Sequence, residues 1–315
     1  MREDGSVLGF ARGPLSHVHV LGPAGSGDVL DALAVEVGAP ADLAVLLLAG
    51  LDFPDEEEAY LAEAKRRNWA GEVVVGNDTY AVLRAGTERS WGVAVTCGRG
   101  INCIGVAPDG RQVRFPSLGE ISGDWGGGGD IGAAAQWYAS RSEDGRGPKT
   151  ALEQLVPEHF GAPTPAELAR QLHLGHVPHR RLDELGPLVL AAADYDAAAA
   201  EIVDRQAAEV VAMAGAALRR LELTQEPVDV VLGGGILQSG NRRLLDGIEA
   251  GLREVGPRLS IRVASSRPIA GAVLAGLDRF GAPADVRARA REELDRAVAS
   301  LGHVAGDTAA VADPA

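Results

Sequence analysis

One carboxylate in this sequence stands where it could act on a hydroxyl group. Asp78 follows residues 73–77, an apolar stretch that ends in Gly76-Asn77 and is typical of a buried strand. Open α/β sheets bind their ligands at the carboxyl ends of the strands, and a carboxylate there can accept a proton during phosphoryl transfer. The alternative interpretation is that Asn77 or Asp78 only caps the helix that follows.

A second carboxylate, Asp124, lies in a segment rich in glycine. Six of the eleven residues 119–129 are glycine, and Glu120, Asp124 and Trp125 stand among them. Carboxylates held by such a loop suit hydrogen bonds to neighbouring sugar hydroxyls, and an indole can pack on the sugar ring. A flexible linker is the alternative, since glycine-rich chains are also common between domains.

Two further segments bring backbone close to a ligand. Residues 96–102, Thr96-Cys97-Gly98-Arg99-Gly100-Ile101-Asn102, are predicted to form a turn between two strands. Successive N–H groups in such a turn can hold a phosphate, although an ordinary hairpin turn has the same pattern. Gly233-Gly234-Gly235 follow an apolar strand and precede a helix, so a flat ring or a phosphate could approach them.

The elements that must position these residues alternate between strand and helix. Apolar strands rich in Val and Leu with intervening amphipathic helices predict a mainly parallel sheet with helices on it. The predicted strands are 43–50, 72–77, 91–98, 101–107, 111–116, 228–232 and 259–264. The predicted helices are 25–37, 55–69, 78–85, 133–142, several within 150–223, 241–255, 270–280 and one within 282–315, where a disordered tail follows.

The first residues look like half of a hairpin. Asp4-Gly5 is a turn signal and residues 6–12 read as its return strand, but only three residues precede the turn. The three strands 91–116 form a complete version of the same unit. We therefore expect a duplicated architecture whose first copy lacks its first strand.

Composition and charge exclude several classes of protein. The chain has 315 residues, of which 46% are hydrophobic and 41 are glycine, with a formal net charge of −14. A surface this acidic disfavours nucleic acid and anionic membranes, and the sequence shows neither a signal peptide nor a membrane-spanning run. Two cysteines do not make a disulfide framework, and His173, His176 and His179 do not share a helix face, so we assign no metal ligand and expect a cytoplasmic protein.

Taken in order, these segments resemble the BadF/BadG/BcrA/BcrD-type ATPases, and among them the N-acetylglucosamine kinases. The resemblance covers the chain to about residue 281 and implies the actin-like, ribonuclease-H-like duplicated fold in two lobes. We expect a first lobe at residues 1–90 and a second at 91–281 with a helical insertion and a last helix that returns to the first lobe. Residues 282–315 would be a tail.

The resemblance also implies roles, with ATP and Mg²⁺ as cofactors and a small sugar as the partner. Asp78 would be the general base for the 6-hydroxyl of the sugar. The implied substrate-binding residues are Asn77, Asn102, Gly123, Asp124 and Trp125. The implied nucleotide-binding residues are Thr96, Gly98, Arg99, Gly100, Gly233, Gly234 and Gly235. The oligomeric state stays open, with a homodimer among the alternatives.

The chain departs from the family pattern in four places. The first phosphate loop, Asp-Gly-Gly-x-(Ser/Thr)-Lys-Thr, does not occur, so we expect catalysis by this chain alone to be impaired. Val18 stands where sugar-binding relatives place Asn, Arg99 where they place a small residue or Thr, and Gly129 where an aromatic is common. Two other functions remain open: a sugar-binding module without turnover, and an activator ATPase of a radical dehydratase, which needs cysteines for an iron–sulfur cluster.

Overall fold

The computed structural model describes residues 1–300 and divides the chain into two compact units. Unit 1 comprises Met1–Glu88 together with the chain from Ser265 onward, and unit 2 comprises Arg89–Ala264. The chain thus re-enters unit 1 at Ser265, just before the helix that the resemblance implied would return to the first lobe. The reason is that the helix from Pro268 to Arg279 packs on unit 1 so closely that a Cβ on Gly271 would lie 1.8 Å from the carbonyl oxygen of Ala81.

Unit 1 is built on two parallel strands. β1 is Ala41–Leu48 and β2 is Ala70–Asn77, and they pair in a register that sets Leu48 opposite Asn77 at their carboxyl ends. The helices of this unit are α1 (Val18–Glu36), α2 (Pro54–Arg67), α3 (Asp78–Gly86), α10 (Pro268–Arg279) and α11 (Ala284–Ser300).

The ends of α2 follow from its sequence. Pro54 supplies a helical φ at the first position, where a missing N–H costs nothing. Glu56 reaches back so that its Oε2 accepts the Phe53 N–H at 2.9 Å. Asn68, in the left-handed conformation at φ 57°, ends the helix. α2 buries Tyr60 and Ala64 in the core of unit 1.

Unit 2 is built on a five-stranded sheet in the order β5-β4-β3-β6-β7. Its strands are β3 (Gly92–Cys97), β4 (Ile101–Val106), β5 (Gln112–Arg114), β6 (Asp229–Gly233) and β7 (Ser260–Val263). The first three form the antiparallel meander that the sequence predicts, and β6 and β7 add to β3 in parallel. Since β3, β6 and β7 are parallel, the turns after their carboxyl ends lie along one edge of the sheet.

Helices cover this sheet and complete the larger core. They are α4 (Gly128–Glu143), α5 (Leu152–His159), α6 (Pro165–His173), α7 (Gly186–Ala192), α8 (Ala197–Arg220) and α9 (Arg242–Val255). The long helix α8 lies directly on the meander because Gly105 has no side chain: a Cβ there would meet Leu221 at 2.8 Å and Ala217 at 3.2 Å.

The predicted return strand at residues 6–12 is wrong. The turn before it does form, since the Gly5 N–H donates to the Arg2 carbonyl at 3.0 Å. Residues 6–12 then have no strand partner among the described residues, and the Val7 N–H instead donates to Glu293 Oε2 at 2.6 Å. The helix predicted within 282–315 is α11. Residues 301–315, which include the rest of the predicted tail, lie outside the described residues. Within residues 1–300, no helix is both long and apolar enough to span a membrane.

Candidate functional site

The carboxyl end of β2 presents Asn77 and Asp78 in different ways. Asn77 is 3% exposed, and its Oδ1 accepts the Thr79 N–H at 2.9 Å, which caps α3. Its Nδ2 donates to the carbonyl of Leu51 at 3.1 Å and to Asp52 Oδ1 at 3.0 Å. Both polar atoms of Asn77 are thus engaged within unit 1, so Asn77 positions its neighbours.

Asp78 is the first residue of α3, and capping this helix is the task of Asn77. Burial raises the pKa of the Asp78 carboxyl above that of an ordinary Asp. A carboxylate that is poorly solvated at a strand's carboxyl end is a better proton acceptor than an ordinary Asp. The arrangement suits a general base.

In unit 2, the turn between β3 and β4 is joined to the start of α4. The N–H groups of Gly128 and Gly129 donate to the carbonyls of Gly98 and Arg99, each at 2.8 Å. Gly127, at φ 84°, comes so close that a Cβ would lie 2.4 Å from the Gly100 oxygen. The glycines of the two segments therefore allow one backbone to rest directly on the other.

Gly234 joins the same assembly from β6. Gly234 has φ 87°, and a Cβ added to it would lie 2.3 Å from the Cys97 carbonyl oxygen. The Ile236 N–H donates a hydrogen bond to the same oxygen at 3.2 Å. The structure thus brings together the turn at 97–100, the first turn of α4 and the glycines after β6. The sequence analysis singled out all three segments but predicted no contact among them.

The exposed side of this assembly is open to a ligand. No atom would lie within 4 Å of a Cβ on Gly98, Gly100 or Gly235, and all three residues are exposed. Thr96 Oγ1 is buried at the end of β3 and has no hydrogen-bond partner among the described residues. An open glycine backbone beside an orphaned hydroxyl fits the phosphates of a nucleotide.

Arg99 adds charge to this turn. Its side chain is 68% exposed, and its Nε lies 3.9 Å from Asp183 Oδ2, which is a weak contact. An exposed guanidinium at the tip of a backbone turn is suited to a phosphate oxygen.

The loop that carries Asp124 is ordered by its own hydrogen bonds. Ser122 Oγ donates to Asp124 Oδ2 at 2.5 Å and accepts the Leu118 N–H at 2.7 Å, while the Asp124 N–H donates to the Gly119 carbonyl at 3.0 Å. Gly123 takes φ 79°, where L side chains are strained. These bonds show a built loop rather than the flexible linker considered from the sequence.

Asn102 and Trp125 both support this loop. Asn102 Oδ1 accepts a hydrogen bond from Ser117 Oγ at 2.8 Å. Trp125 packs against the core of unit 2, and the Arg205 guanidinium lies 4.0 Å from the centre of its ring. One face of this indole is therefore covered by Arg205 in a cation–π contact.

Two residues that support these sites were not identified from the sequence. Gln206, fully buried on α8, accepts the Gly127 N–H at 2.7 Å and so holds the start of α4. Asp52 accepts the hydrogen bond from Asn77. Neither lies in a glycine-rich segment or at a strand end. The available signal for Gln206 was a polar residue on the helix face that otherwise carries Ile202, Val203 and Val210.

Residues 2–276 match the family described as BadF/BadG/BcrA/BcrD ATPase family. The chain belongs to the BadF/BadG/BcrA/BcrD ATPase family. The resemblance inferred from the sequence is thereby confirmed.

Two curated relatives share part of the chain. The N-acetylmuramic acid/N-acetylglucosamine kinase of Clostridium acetobutylicum is 27% identical over 194 residues, which are 61% of this chain and 63% of that protein. The N-acetyl-D-glucosamine kinase of Dictyostelium discoideum is 33% identical over 85 residues, which are 27% of each chain. The matched region thus spans less than two thirds of either relative.

Solved structures agree on the fold. A Chromobacterium violaceum protein described as an N-acetylglucosamine kinase superposes with a TM-score of 0.65 at 25% identity and covers 85% of this chain and 90% of its own. A Porphyromonas gingivalis protein with the same description has a TM-score of 0.56 at 16% identity, over 82% of this chain and 83% of its own. The predicted α/β, actin-like fold class of this BadF/BadG/BcrA/BcrD family member is confirmed.

Proposed function

We propose that this protein transfers the γ-phosphate of ATP to an amino sugar, with N-acetylglucosamine as substrate and its 6-hydroxyl as the acceptor. The observation that carries the proposal is the state of Asp78. It lies at the carboxyl end of a parallel strand, Asn77 takes over the cap of α3, and burial raises its pKa. The two curated relatives are kinases of N-acetylglucosamine, and one of them is also a kinase of N-acetylmuramic acid.

Asp78 acts as the general base in this proposal. A sugar hydroxyl attacks the phosphorus more readily when its proton passes to a carboxylate, and the O–P bond to ADP breaks as the new one forms. Asn77 fixes the first turn of α3 and thereby the backbone from which the Asp78 side chain extends.

The nucleotide is bound by the glycine assembly of unit 2. Gly98 and Gly100 let phosphate oxygens approach the turn, Thr96 Oγ1 gains a partner, and Arg99 contributes positive charge. Gly235, with no atom within 4 Å of its Cβ position, leaves room for the flat part of the nucleotide, and Gly233 and Gly234 lead the backbone to it. Mg²⁺ bound to ATP would neutralise charge on the transferred phosphoryl group.

The sugar hydroxyls are bound by Asp124. Ser122 orients one carboxylate oxygen, and Gly123 supplies the bend that presents it. Asn102 holds the neighbouring Ser117, so it shapes the loop. Trp125 supports the loop through its packing on unit 2 and Arg205, which is a different role from stacking on the sugar.

The dehydratase-activator alternative has less support. Cys97 and Cys103 are both buried, 0% and 1% exposed, and burial raises the pKa of both thiols. A thiol that resists ionisation inside a sheet is a poor ligand for an iron–sulfur cluster. The protein as purified should therefore be colourless.

The test is a coupled assay of ADP release with N-acetylglucosamine, N-acetylmuramic acid, glucosamine and glucose. Because no Asp-Gly-Gly-x-(Ser/Thr)-Lys-Thr segment occurs in the sequence, the assay includes a form extended at its amino end by a strand and that loop. Turnover with N-acetylglucosamine, lost with its 6-deoxy analogue, supports the proposal. Sugar binding without turnover in both forms would instead indicate a binding module.

Two further properties belong to the proposal. A kinase that draws on ATP and free amino sugar works in the cytoplasm. Its oligomeric state stays a prediction, and sedimentation equilibrium would distinguish a homodimer from a monomer.

A further inference from the structure

Three potential metal ligands converge in unit 1 at a place that the kinase proposal does not use. His19 lies in the first turn of α1, Asp52 in the loop after β1, and Glu56 in the first turn of α2. Each offers one ligand atom, and these three atoms all lie within 4.8 Å of one another. His19 is exposed and the two carboxylates are half-buried, so an ion can reach the group from solvent.

The spacing is close to what one ion would impose. Two ligand atoms that are each about 2.1 Å from a zinc-sized ion stand roughly 3.0–3.4 Å apart at octahedral or tetrahedral angles. His19 Nε2 and Glu56 Oε1 are already 2.8 Å apart. An ion therefore needs only a small outward movement of this pair and an approach of Asp52.

The ligands are held by groups outside the cluster. Glu56 Oε2 accepts the N–H groups of Asp52 at 2.8 Å and Phe53 at 2.9 Å, which leaves Oε1 directed to His19. Asp52 Oδ1 accepts the hydrogen bond of Asn77. His17 Nδ1 accepts the His19 N–H at 3.3 Å and caps α1. Such outer contacts orient ligands and strengthen metal sites.

Charge favours a divalent ion here. Asp52 and Glu56 bring two carboxylate oxygens to one place, and their negative charge attracts a divalent cation. His19 adds an imidazole nitrogen as the third ligand atom. An imidazole with carboxylates suits zinc and its transition-metal neighbours better than Mg²⁺, which prefers oxygen ligands and its own waters.

We propose that His19, Asp52 and Glu56 form a binding site for a divalent transition-metal ion of the zinc type, distinct from the Mg²⁺ that accompanies ATP. The ion ties the start of α1 to the start of α2. Through Asp52 and Asn77 it also stiffens the strand end that carries Asp78. Three protein ligands leave a fourth coordination position for water.

The experiment measures binding of Zn²⁺ alone to the untagged, metal-stripped full chain by calorimetry, with excess Mg²⁺ present. Co²⁺ is a second probe, because its visible absorption reports mixed nitrogen and oxygen ligands. We expect one ion per chain. His19→Ala should weaken binding by more than the roughly 10–100-fold that loss of a merely orienting residue costs.

The chain offers a matched control in His159. His159 Nε2 lies 3.1 Å from Glu184 Oε2, so this pair has the same chemistry. It is not part of any three-ligand group among the described residues. His159→Ala should leave the stoichiometry and affinity unchanged.

Equal Zn²⁺ affinity in the His19→Ala and parent proteins, or loss of binding in His159→Ala, would overturn the site. Asp52→Asn gives a second variant that keeps an oxygen for Asn77 but removes the charge, and its circular dichroism shows whether the fold is intact. These readouts do not involve phosphoryl transfer, so they stand whether or not the kinase proposal holds.

Discussion

Asn77 donates a side-chain hydrogen bond to Asp52 Oδ1 across 3.0 Å and so connects the carboxyl end of β2 with the loop after β1. The same amide caps α3 through its oxygen. One side chain thereby performs the two structural tasks at this sheet end. The neighbouring Asp78 has neither of these structural tasks, and its burial raises the pKa of its carboxyl group.

Asp78→Asn should abolish most of the sugar phosphorylation. Loss of a general base typically lowers kcat by about 10²–10⁴-fold. Asp42→Asn is the matched control, because Asp42 is an exposed residue at the amino end of β1. Steady-state ADP release by both variants, in the most active form of the protein, tests this role. Parent-like kcat in Asp78→Asn would remove Asp78 from the mechanism.

The raised pKa of Asp78 also predicts how stability depends on pH. The folded state holds this proton more tightly than the unfolded chain, whose Asp has a pKa near 3.8. Asp78 therefore adds stability below that value, and the contribution is lost as the pH rises through the raised pKa. Asp78→Asn should accordingly raise Tm at pH 7 and give little or no gain at pH 3.5. Differential scanning calorimetry at the two pH values measures this, and a gain that is larger at pH 3.5 would contradict it.

Gly234→Ala should disturb the glycine assembly much more than Gly240→Ala. Both residues have positive φ, 87° and 73°, so both substitutions carry a similar backbone strain. Only at Gly234 would the new Cβ meet another atom, the Cys97 oxygen at 2.3 Å, whereas nothing lies within 4 Å at Gly240. We expect Gly234→Ala to lower Tm further and to weaken ATP binding at least tenfold. Equal ATP affinity in the two variants would separate this segment from nucleotide binding.

Asp124→Ala should raise the KM for the sugar with a smaller effect on the KM for ATP. A hydrogen bond to a charged group contributes about 1.5–3 kcal/mol, or roughly 10–150-fold. Ser122→Ala removes the hydroxyl that orients Asp124 Oδ2 and accepts the Leu118 N–H but keeps the Asp124 carboxylate, so it should cause a smaller rise of the same kind. The two KM values, measured for each variant, check this. A larger defect in ATP than in sugar would contradict the assignment.

Much of the fold was predictable because strong local signals determine it. Apolar runs in the sequence predicted β1, β2, β3 and β6, and the tight turns of the meander predicted the antiparallel part of the sheet. The stretch 6–12 shows the limit of such signals. A turn and an apolar return segment do not make a strand where no neighbouring strand supplies hydrogen bonds.

The candidate site was predictable by segment but not by contact. Asp78, Asp124 and the glycine turns follow from residue type and position at strand ends. The close contact of Gly127 with the Gly100 backbone depends on where α4 begins in space. The hydrogen bond of Gln206 joins it to Gly127, which is 79 residues away in the sequence. The pairing of His19 with Glu56 likewise joins residues 37 positions apart. Local patterns carry no information on these distances.

The close backbone contacts of Gly98–Gly100, Gly127–Gly129 and Gly234 have an evolutionary consequence. Because no side chain separates these turns, a change in the shape of one must be absorbed by the others. Selection for a different nucleotide should therefore yield substitutions that arrive together in two of these segments, each harmful without its companion. Single-site libraries would find this part of the protein almost immutable, while libraries that vary two segments at once would find it adaptable.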